Sequence, residues 1–281
     1  MWDLVIIGGG PAALTAALYA ARAGVKVKVF ERGEIGGELA LIAHIANYPG
    51  YDGAGKDLAE VMRHQAEAVG AEVDYGECTS IKKLDDEFEL IVDGEPVLAH
   101  NVLVATGSEP RQLEFEIKPP VSYCALCDID LVEGKDVAVI GGGNSAIQEA
   151  LVLAPRTKSL TVISHSPVKA DQHLQKCLHD CKNCKVQEGI EPDAETLNQF
   201  EHVFVFIGKR PATKFLEDLS LEVLDSDGYI ITGVGSEFKY QTAISGLFAA
   251  GDVRSGSVRQ VVTAAGEGAS AAVEIIKRSK Y

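Results

Sequence analysis

A strand, a glycine-rich turn and a helix follow one another twice in this chain, and that repetition restricts the possible folds more than any other feature. Residues 4–7 form a short continuous apolar run, as a parallel strand buried on both faces should. Gly8-Gly9-Gly10-Pro11-Ala12-Ala13 then fits Gly-x-Gly-x-x-Ala. In that pattern Gly8 permits the turn, Gly10 lets a pyrophosphate approach the backbone, and Ala13 lets helix pack closely on strand. The spacing predicts a helix over residues 12–22, stopped by Gly24, and a second strand over 25–30. That strand ends at Glu31, where an acid accepts the two hydroxyls of an adenosine ribose. A plain strand-to-helix turn is the bland alternative. The ordered series of strand, loop, helix, strand and acid argues against it.

The second copy aligns Gly8, Gly10, Ala13, Ala17 and Leu18 with Gly141, Gly143, Ala146, Ala150 and Leu151. Residues 137–140 are again a strand, 145–153 a helix and 160–163 a strand. The same alignment carries Glu31 onto Ser164. The second loop thus has a cradle for a pyrophosphate but no acid for a ribose. The following Ser164-His165-Ser166-Pro167-Val168-Lys169 offers no arginine for a 2′-phosphate, and Lys169 is the only fixed cation within reach.

Between the loops stands Tyr123-Cys124-Ala125-Leu126-Cys127-Asp128. Two thiols at Cys-x-x-Cys close a small disulfide ring without large backbone movement, and a nearby helix start or cation lowers their pKa. The carboxyl of Asp128 is placed in sequence to hand a proton to a leaving thiolate. Half a zinc site has the same spacing, so the motif alone leaves redox and metal readings open. Further on, Cys177, Cys181 and Cys184 stand at Cys-x3-Cys-x2-Cys. This spacing suits a metal, or small apolar side chains at the end of a helix near Asp180. A fourth ligand is not obvious, so no metal is assigned.

At 281 residues the chain is long enough for two domains. A net charge of −15 without a Lys/Arg-rich block argues against nucleic acid. Six cysteines are too few for a secreted disulfide framework and fit a reducing cytosol, so a cytoplasmic protein is expected. The uncharged stretch 4–21 approaches a membrane span in length. Gly8-Gly9-Gly10-Pro11 interrupts it and Asp3 precedes it without a basic region, so no membrane is expected. Gly36-Gly37-Glu38-Leu39 and Asn47-Tyr48-Pro49-Gly50 read as turns, and residues 56–69 as an amphipathic helix. Short strands are expected over 71–105, with a turn at Asp93-Gly94 and an end at Ala105-Thr106-Gly107. Another buried strand is expected over 204–207. In the tail, Gly251-Asp252 follows a strand and precedes a helix over 261–277. Asp252 there suits either a cofactor's polyol or a helix N-cap.

Taken together, these motifs resemble the low-molecular-weight thioredoxin reductase family over nearly the whole chain. The resemblance rests on Gly8–Ala13, Gly36-Gly37, Asn47-Tyr48-Pro49-Gly50, Ala105-Thr106-Gly107, Cys124-x-x-Cys127-Asp128, Gly141-Gly142-Gly143-Asn144-Ser145-Ala146 and both tail motifs. It implies an α/β fold of two Rossmann-like, three-layer domains, one inserted in the other. An FAD-binding domain would comprise residues 1–111 and 210–281, and a pyridine-nucleotide-type domain carrying the cysteines residues 112–209. It also implies a homodimer in which the smaller domain swings. Carried over, Gly8, Gly10, Pro11, Ala12, Ala13, Glu31 and Arg32 would hold the ADP half of FAD. Gly37, Glu38 and Asn47 would lie along the flavin side, and Ala105, Thr106 and Gly107 would also bind the cofactor. Gly251 and Asp252 would take the ribityl chain, and Arg259, Gln260 and Val261 would lie near the isoalloxazine. Cys124 and Cys127 would form the redox disulfide, with Asp128 as proton donor and thioredoxin as acceptor.

The chain departs from the family pattern in four places, the first of which bears on the electron donor. Members that use NADPH carry arginines where Ser164-His165-Ser166 stands, and each forgone charge-assisted bond to a 2′-phosphate is worth about 1.5–3 kcal/mol. NADH is not favoured either, since residue 164 is not an acid. Glu38 replaces the usual Gln, Ile129 replaces a Gly, and the chain is short between Lys185 and Phe204. The ferredoxin-dependent branch is therefore the favoured reading, with NADPH or NADH as the alternative. Ferredoxins are usually acidic, as is this chain, so Arg111, Lys118, Lys209 or Arg210 would have to form a local basic patch. A non-catalytic FAD-binding protein is a third reading, against which Cys124, Cys127 and Asp128 argue.

Overall fold

The computed structural model describes residues 1–42, 44–217, 219 and 223–279. The chain divides into two compact units, Met1–Glu109 with Arg210–Tyr281, and Pro110–Lys209. Each is an α/β layered structure, as the repeated motif requires.

In the first unit the apolar Trp2–Ile7 strand lies inside a seven-stranded sheet. It pairs in parallel with Val27–Glu31 on one side and Glu95–Val104 on the other. Both faces of the strand are covered, which explains its lack of alternation. Leu4 and Ile6 join the helix Pro11–Arg22 and the C-terminal helix Val261–Arg278 in one core. Val5 and Ile7 pack with Phe88, Leu90 and Leu247 in the other. On its other edge the long strand Glu95–Val104 serves two neighbours: its start pairs antiparallel with Phe88–Val92, and its end pairs in parallel with Leu247–Ala249. The two large helices touch so closely that a Cβ on Gly268 would meet the carbonyl of Ala12. The C-terminal helix thereby backs the first glycine loop.

The second unit repeats the plan with a five-stranded parallel sheet. Asp136–Ile140 runs into Gly141-Gly142-Gly143, then into the helix Asn144–Leu153, and returns as Ser159–Ser164. The strand expected over 204–207 is instead His202–Val205, paired with residues 137–140. A fully buried parallel strand has no period to mark its ends, and the polar His202 disguised this one. Asn47-Tyr48-Pro49-Gly50, expected as a loop, is the tip of a small hairpin of Ile45–Tyr48 and Tyr51–Gly53. No described helix is long and apolar enough to cross a membrane.

Candidate active site

The strand Val121–Ser122 pairs with His202–Val205 at one edge of the second sheet, after which the chain leaves the sheet at Tyr123. Cys124 then takes an extended conformation and caps a single helical turn, Ala125–Asp128. Cys124 and Cys127 are joined by a disulfide with their Cα atoms 5.4 Å apart. The Cys127 N–H donates to Cys124 Sγ at 3.2 Å, so the first sulfur is held against the start of the turn. Cys127 is exposed, while Cys124 and Asp128 are half-buried. The pair therefore lies where an external thiol can reach it.

One titratable residue outside the motif holds this turn, and another holds the strand before it. Glu149 Oε2 accepts from the Ala125 N–H at 3.1 Å, and burial pushes its carboxyl above the ordinary range although that bond opposes the shift. Buried His202 shares a 2.8 Å hydrogen bond between its Nε2 and Ser122 Oγ, and its ring stacks on Phe204 with centroids 4.9 Å apart. Its Nδ1 has no partner among the described residues. Burial, aided by the Lys135 charge, depresses the His202 pKa, while Asp128 works the other way. Glu149 had a faint sequence signal, a charge on a helix whose Ala146, Ile147, Ala150 and Leu153 are buried. His202 had none.

The His202 shift has a sign that can be tested. The fold holds the ring neutral, while the unfolded chain protonates near the ordinary value of 6.5. Stability is thus fully present above that pH and falls as pH drops through 6.5, until the folded ring itself titrates. The slope is at most about 1.4 kcal/mol per pH unit. Urea unfolding between pH 7 and 5 is expected to show this loss, and His202→Gln is expected to flatten it.

In the first unit, Gly8 has φ +103°, and a Cβ there would run into the backbone of Ala105 and Thr106. Gly10, by contrast, faces open space: its Cβ would meet nothing nearer than Gly36 O at 3.9 Å. Pro11 opens the helix, with no side-chain cap and no acid in its first turn. The first-turn N–H groups, including those of Ala12 and Ala13, need a partner from outside the helix, and the open groove beside Gly10 fits a pyrophosphate. Glu31 stands at the lip, taking the Gly9 N–H at 2.5 Å and the Gly33 N–H at 2.7 Å. Arg32 is exposed and paired with Glu109.

Some of the other predicted positions lie beside the same loop. The Gly36 N–H donates to Gly9 O at 2.8 Å, bringing Gly37 and exposed Glu38 alongside. The Ala105 N–H bonds Ile7 O, while Thr106 Oγ1 and Gly107 O both bond the backbone of Ala212. Asn47 Nδ2 donates to Gln260 Oε1 at 3.1 Å across most of the sequence. Arg259 lies over Tyr229 and donates to its hydroxyl. The C-terminal helix starts at Val261 with Gln260 as its N-cap, so half-buried Asp252 does not cap it. Sequence reasoning missed Glu267. This buried carboxylate receives Arg254 Nη2 at 2.5 Å and the Gly251 N–H at 2.8 Å, and so fixes the turn that presents Asp252. Its signal was a charge at helical spacing among buried alanines.

The second loop keeps its cradle and changes its lip. Gly141 again has a positive φ of +133°, and Gly143 again faces open space. Where a Cβ on Gly9 would meet Glu31, one on Gly142 would meet Ser164. Buried Ser164 spends its hydroxyl on Ser166 O at 2.7 Å. Beside it, Glu188 Oε1 accepts the Val168 N–H at 2.7 Å and so adds a carboxylate to this lip. Lys169 is exposed.

Two glycine-rich strand-to-helix turns and an accessible disulfide in one chain are what an electron-transfer protein working on sulfur requires. The sequence pattern of the pyridine nucleotide-disulphide oxidoreductases matches residues 2–268. The thioredoxin reductase of Listeria innocua is 36% identical, with 95% of this chain and 91% of that protein aligned. That of Treponema pallidum is 37% identical, at 96% and 95%. The crystal structure of Lactococcus lactis thioredoxin reductase superposes with a TM-score of 0.87 at 33% identity, covering 99% of this chain and 98% of that one. The chain belongs to the pyridine nucleotide-disulphide oxidoreductase family and is an oxidoreductase acting on disulfides.

Proposed function

We propose that the chain is an FAD-dependent thioredoxin reductase that draws its electrons from a reduced ferredoxin. The observation that carries the disulfide chemistry is the Cys124–Cys127 pair, half-exposed at the start of a one-turn helix. In this reading the groove at Gly8 and Gly10 holds the ADP half of FAD, and Glu31 takes the adenosine ribose. Arg32 flanks it. Gly37, Glu38, Asn47, Thr106, Asp252, Arg259, Gln260 and Val261 line the remainder. Bound there, FAD supplies an electron pair to a disulfide. The rest of the work falls to the protein. Cys127 presents its sulfur to solvent, the Cys127 N–H steadies Cys124 Sγ, and Asp128 protonates the thiolate that leaves. The dithiol then reduces the disulfide of thioredoxin by exchange. The enzyme is read as a cytoplasmic homodimer, following its family resemblance.

The ferredoxin assignment rests on the second lip. Ser164 is short and already engaged, and Glu188 opposes the charge of a 2′-phosphate. The intact cradle at Gly141 and Gly143 favours the other reading, in which NADPH or NADH binds through backbone and Lys169. Anaerobic mixing of the holoenzyme with ferredoxin, NADPH or NADH separates them. Rapid flavin bleaching by reduced ferredoxin alone is expected; equally rapid bleaching by NADPH overturns the protein donor.

Glu31→Ala tests the FAD site independently. Removing the charge-assisted bonds of this carboxylate is expected to cost about 1.5–3 kcal/mol, roughly 10–150-fold in FAD affinity. Titration of the apoprotein with FAD measures it.

A further inference from the structure

The Cys181–Cys184 pair has no part in the chemistry above. These residues are joined by a disulfide with Cα atoms 5.3 Å apart, close to the 5.4 Å of Cys124–Cys127. Cys181 is the C-cap of the helix Gln172–Asp180, and Cys184 is the first residue of the edge strand Cys184–Glu188. Both are half-buried, with one side on the core of the second unit and the other toward solvent. Lys182 and Lys185 adjoin the pair in sequence and are exposed, and cations near a sulfur favour its thiolate. Asn183, inside the ring, anchors it by donating to Ala154 O and Thr157 O, both at 2.9 Å.

The helix that this disulfide closes is tethered at its other end to the second glycine loop. The Lys169 N–H donates to Gly142 O, and Asp171 and Asn144 exchange two hydrogen bonds. Within the helix only Leu178 is fully buried. Leu174 packs partly against the same core, and the two ends supply much of the rest of the helix's order. A covalent clamp at one end and a hydrogen-bonded clasp at the other hold it in place.

We propose that Cys181–Cys184 is a second, exchangeable thiol–disulfide couple of this chain, separate from Cys124–Cys127, whose oxidised form clamps the end of the Gln172–Asp180 helix beside the second cradle. The exchange partner is a dithiol, protein or small. Its thiolate attacks one sulfur, the Cys181–Cys184 bond breaks, and a mixed disulfide forms while the other cysteine leaves as a thiolate and takes a proton from water. The partner's second thiol attacks the mixed disulfide, releasing the remaining cysteine, which is protonated in turn. The partner ends as a disulfide, and an electron pair has passed to the couple.

The test uses the full-length holoenzyme, equilibrated without oxygen in mixtures of oxidised and reduced dithiothreitol. Alkylation and peptide mass analysis then follow each pair. Cys78, buried with its thiol pushed up to about 12, is expected to remain unlabelled while the fold is intact. Cys181 and Cys184 are expected to pass together from disulfide to doubly alkylated form, nine-tenths to one-tenth oxidised over an approximately hundredfold change in reagent ratio. On reduction, amide exchange in residues 176–182 is expected to quicken roughly tenfold, as it is in Cys181→Ser/Cys184→Ser without any reductant. Alkylation of both cysteines at every ratio overturns the couple, as does a disulfide that persists at every ratio. Reduction with unchanged exchange overturns the clamp.

Discussion

Cys124→Ser is expected to lower thioredoxin turnover by roughly 10³-fold or more, with FAD still bound and the fold unchanged. The size follows from the chemistry: without this sulfur no disulfide can form, and a lone Cys127 thiol has no way to accept or release an electron pair internally. The fold is spared because the substitution is local. Cys124 contributes only the disulfide and the acceptor for the Cys127 N–H, and a serine hydroxyl at an N-cap fills the acceptor role at least as well. Steady-state reduction of thioredoxin, driven by whichever donor bleaches the flavin, is the measurement. The flavin absorption spectrum of the same sample serves as the control.

The second large effect separates two glycines that look alike in sequence. Gly8→Ala forces an L side chain to φ +103° and drives its Cβ into the carbonyl of Ala105. Strain of about 1–3 kcal/mol and overpacking of similar size should together remove about 2–6 kcal/mol, a large part of a domain's stability. Gly10→Ala meets nothing within the protein nearer than 3.9 Å and should leave unfolding almost unchanged. Its methyl group instead occupies the groove, so FAD affinity should fall. Denaturant melts and FAD titrations of both variants are expected to give opposite patterns: Gly8→Ala fails in the melt, and Gly10→Ala fails only in the titration.

That contrast shows what the sequence could and could not convey. The glycine loops, the acid at Glu31 and the cysteines were legible because each depends on local chain geometry at fixed spacing. Strand ends were less so. His202–Val205 was displaced by two residues because burial on both faces erases alternation. The hairpin at Ile45–Tyr48 and Tyr51–Gly53 was hidden by its tip, whose Asn-Tyr-Pro-Gly reads as a turn whether or not strands flank it.

Residues that act through distant partners were barely legible for another reason. Glu149 matters because Ala125 N–H lies beside it, and Glu267 because Arg254 and Gly251 do. No spacing rule connects such pairs. For Cys177, Cys181 and Cys184 the spacing left a metal or small apolar side chains as readings and assigned no metal; neither reading anticipated the disulfide that closes Cys181 on Cys184 and leaves Cys177 as a thiol. Pairing depends on where Cβ atoms point, which spacing alone does not fix.

The most direct test of the proposed electron path is an anaerobic dithionite titration of the holoenzyme in a Cys181→Ser/Cys184→Ser background, with thiol labelling at the end point. If FAD and Cys124–Cys127 form one path, reduction should consume an electron pair for the flavin and another for the disulfide, and Cys124 and Cys127 should both become labelled. Adding Cys124→Ser should halve the uptake. Uptake of the flavin's electron pair alone, with Cys124 and Cys127 still joined, would contradict the account.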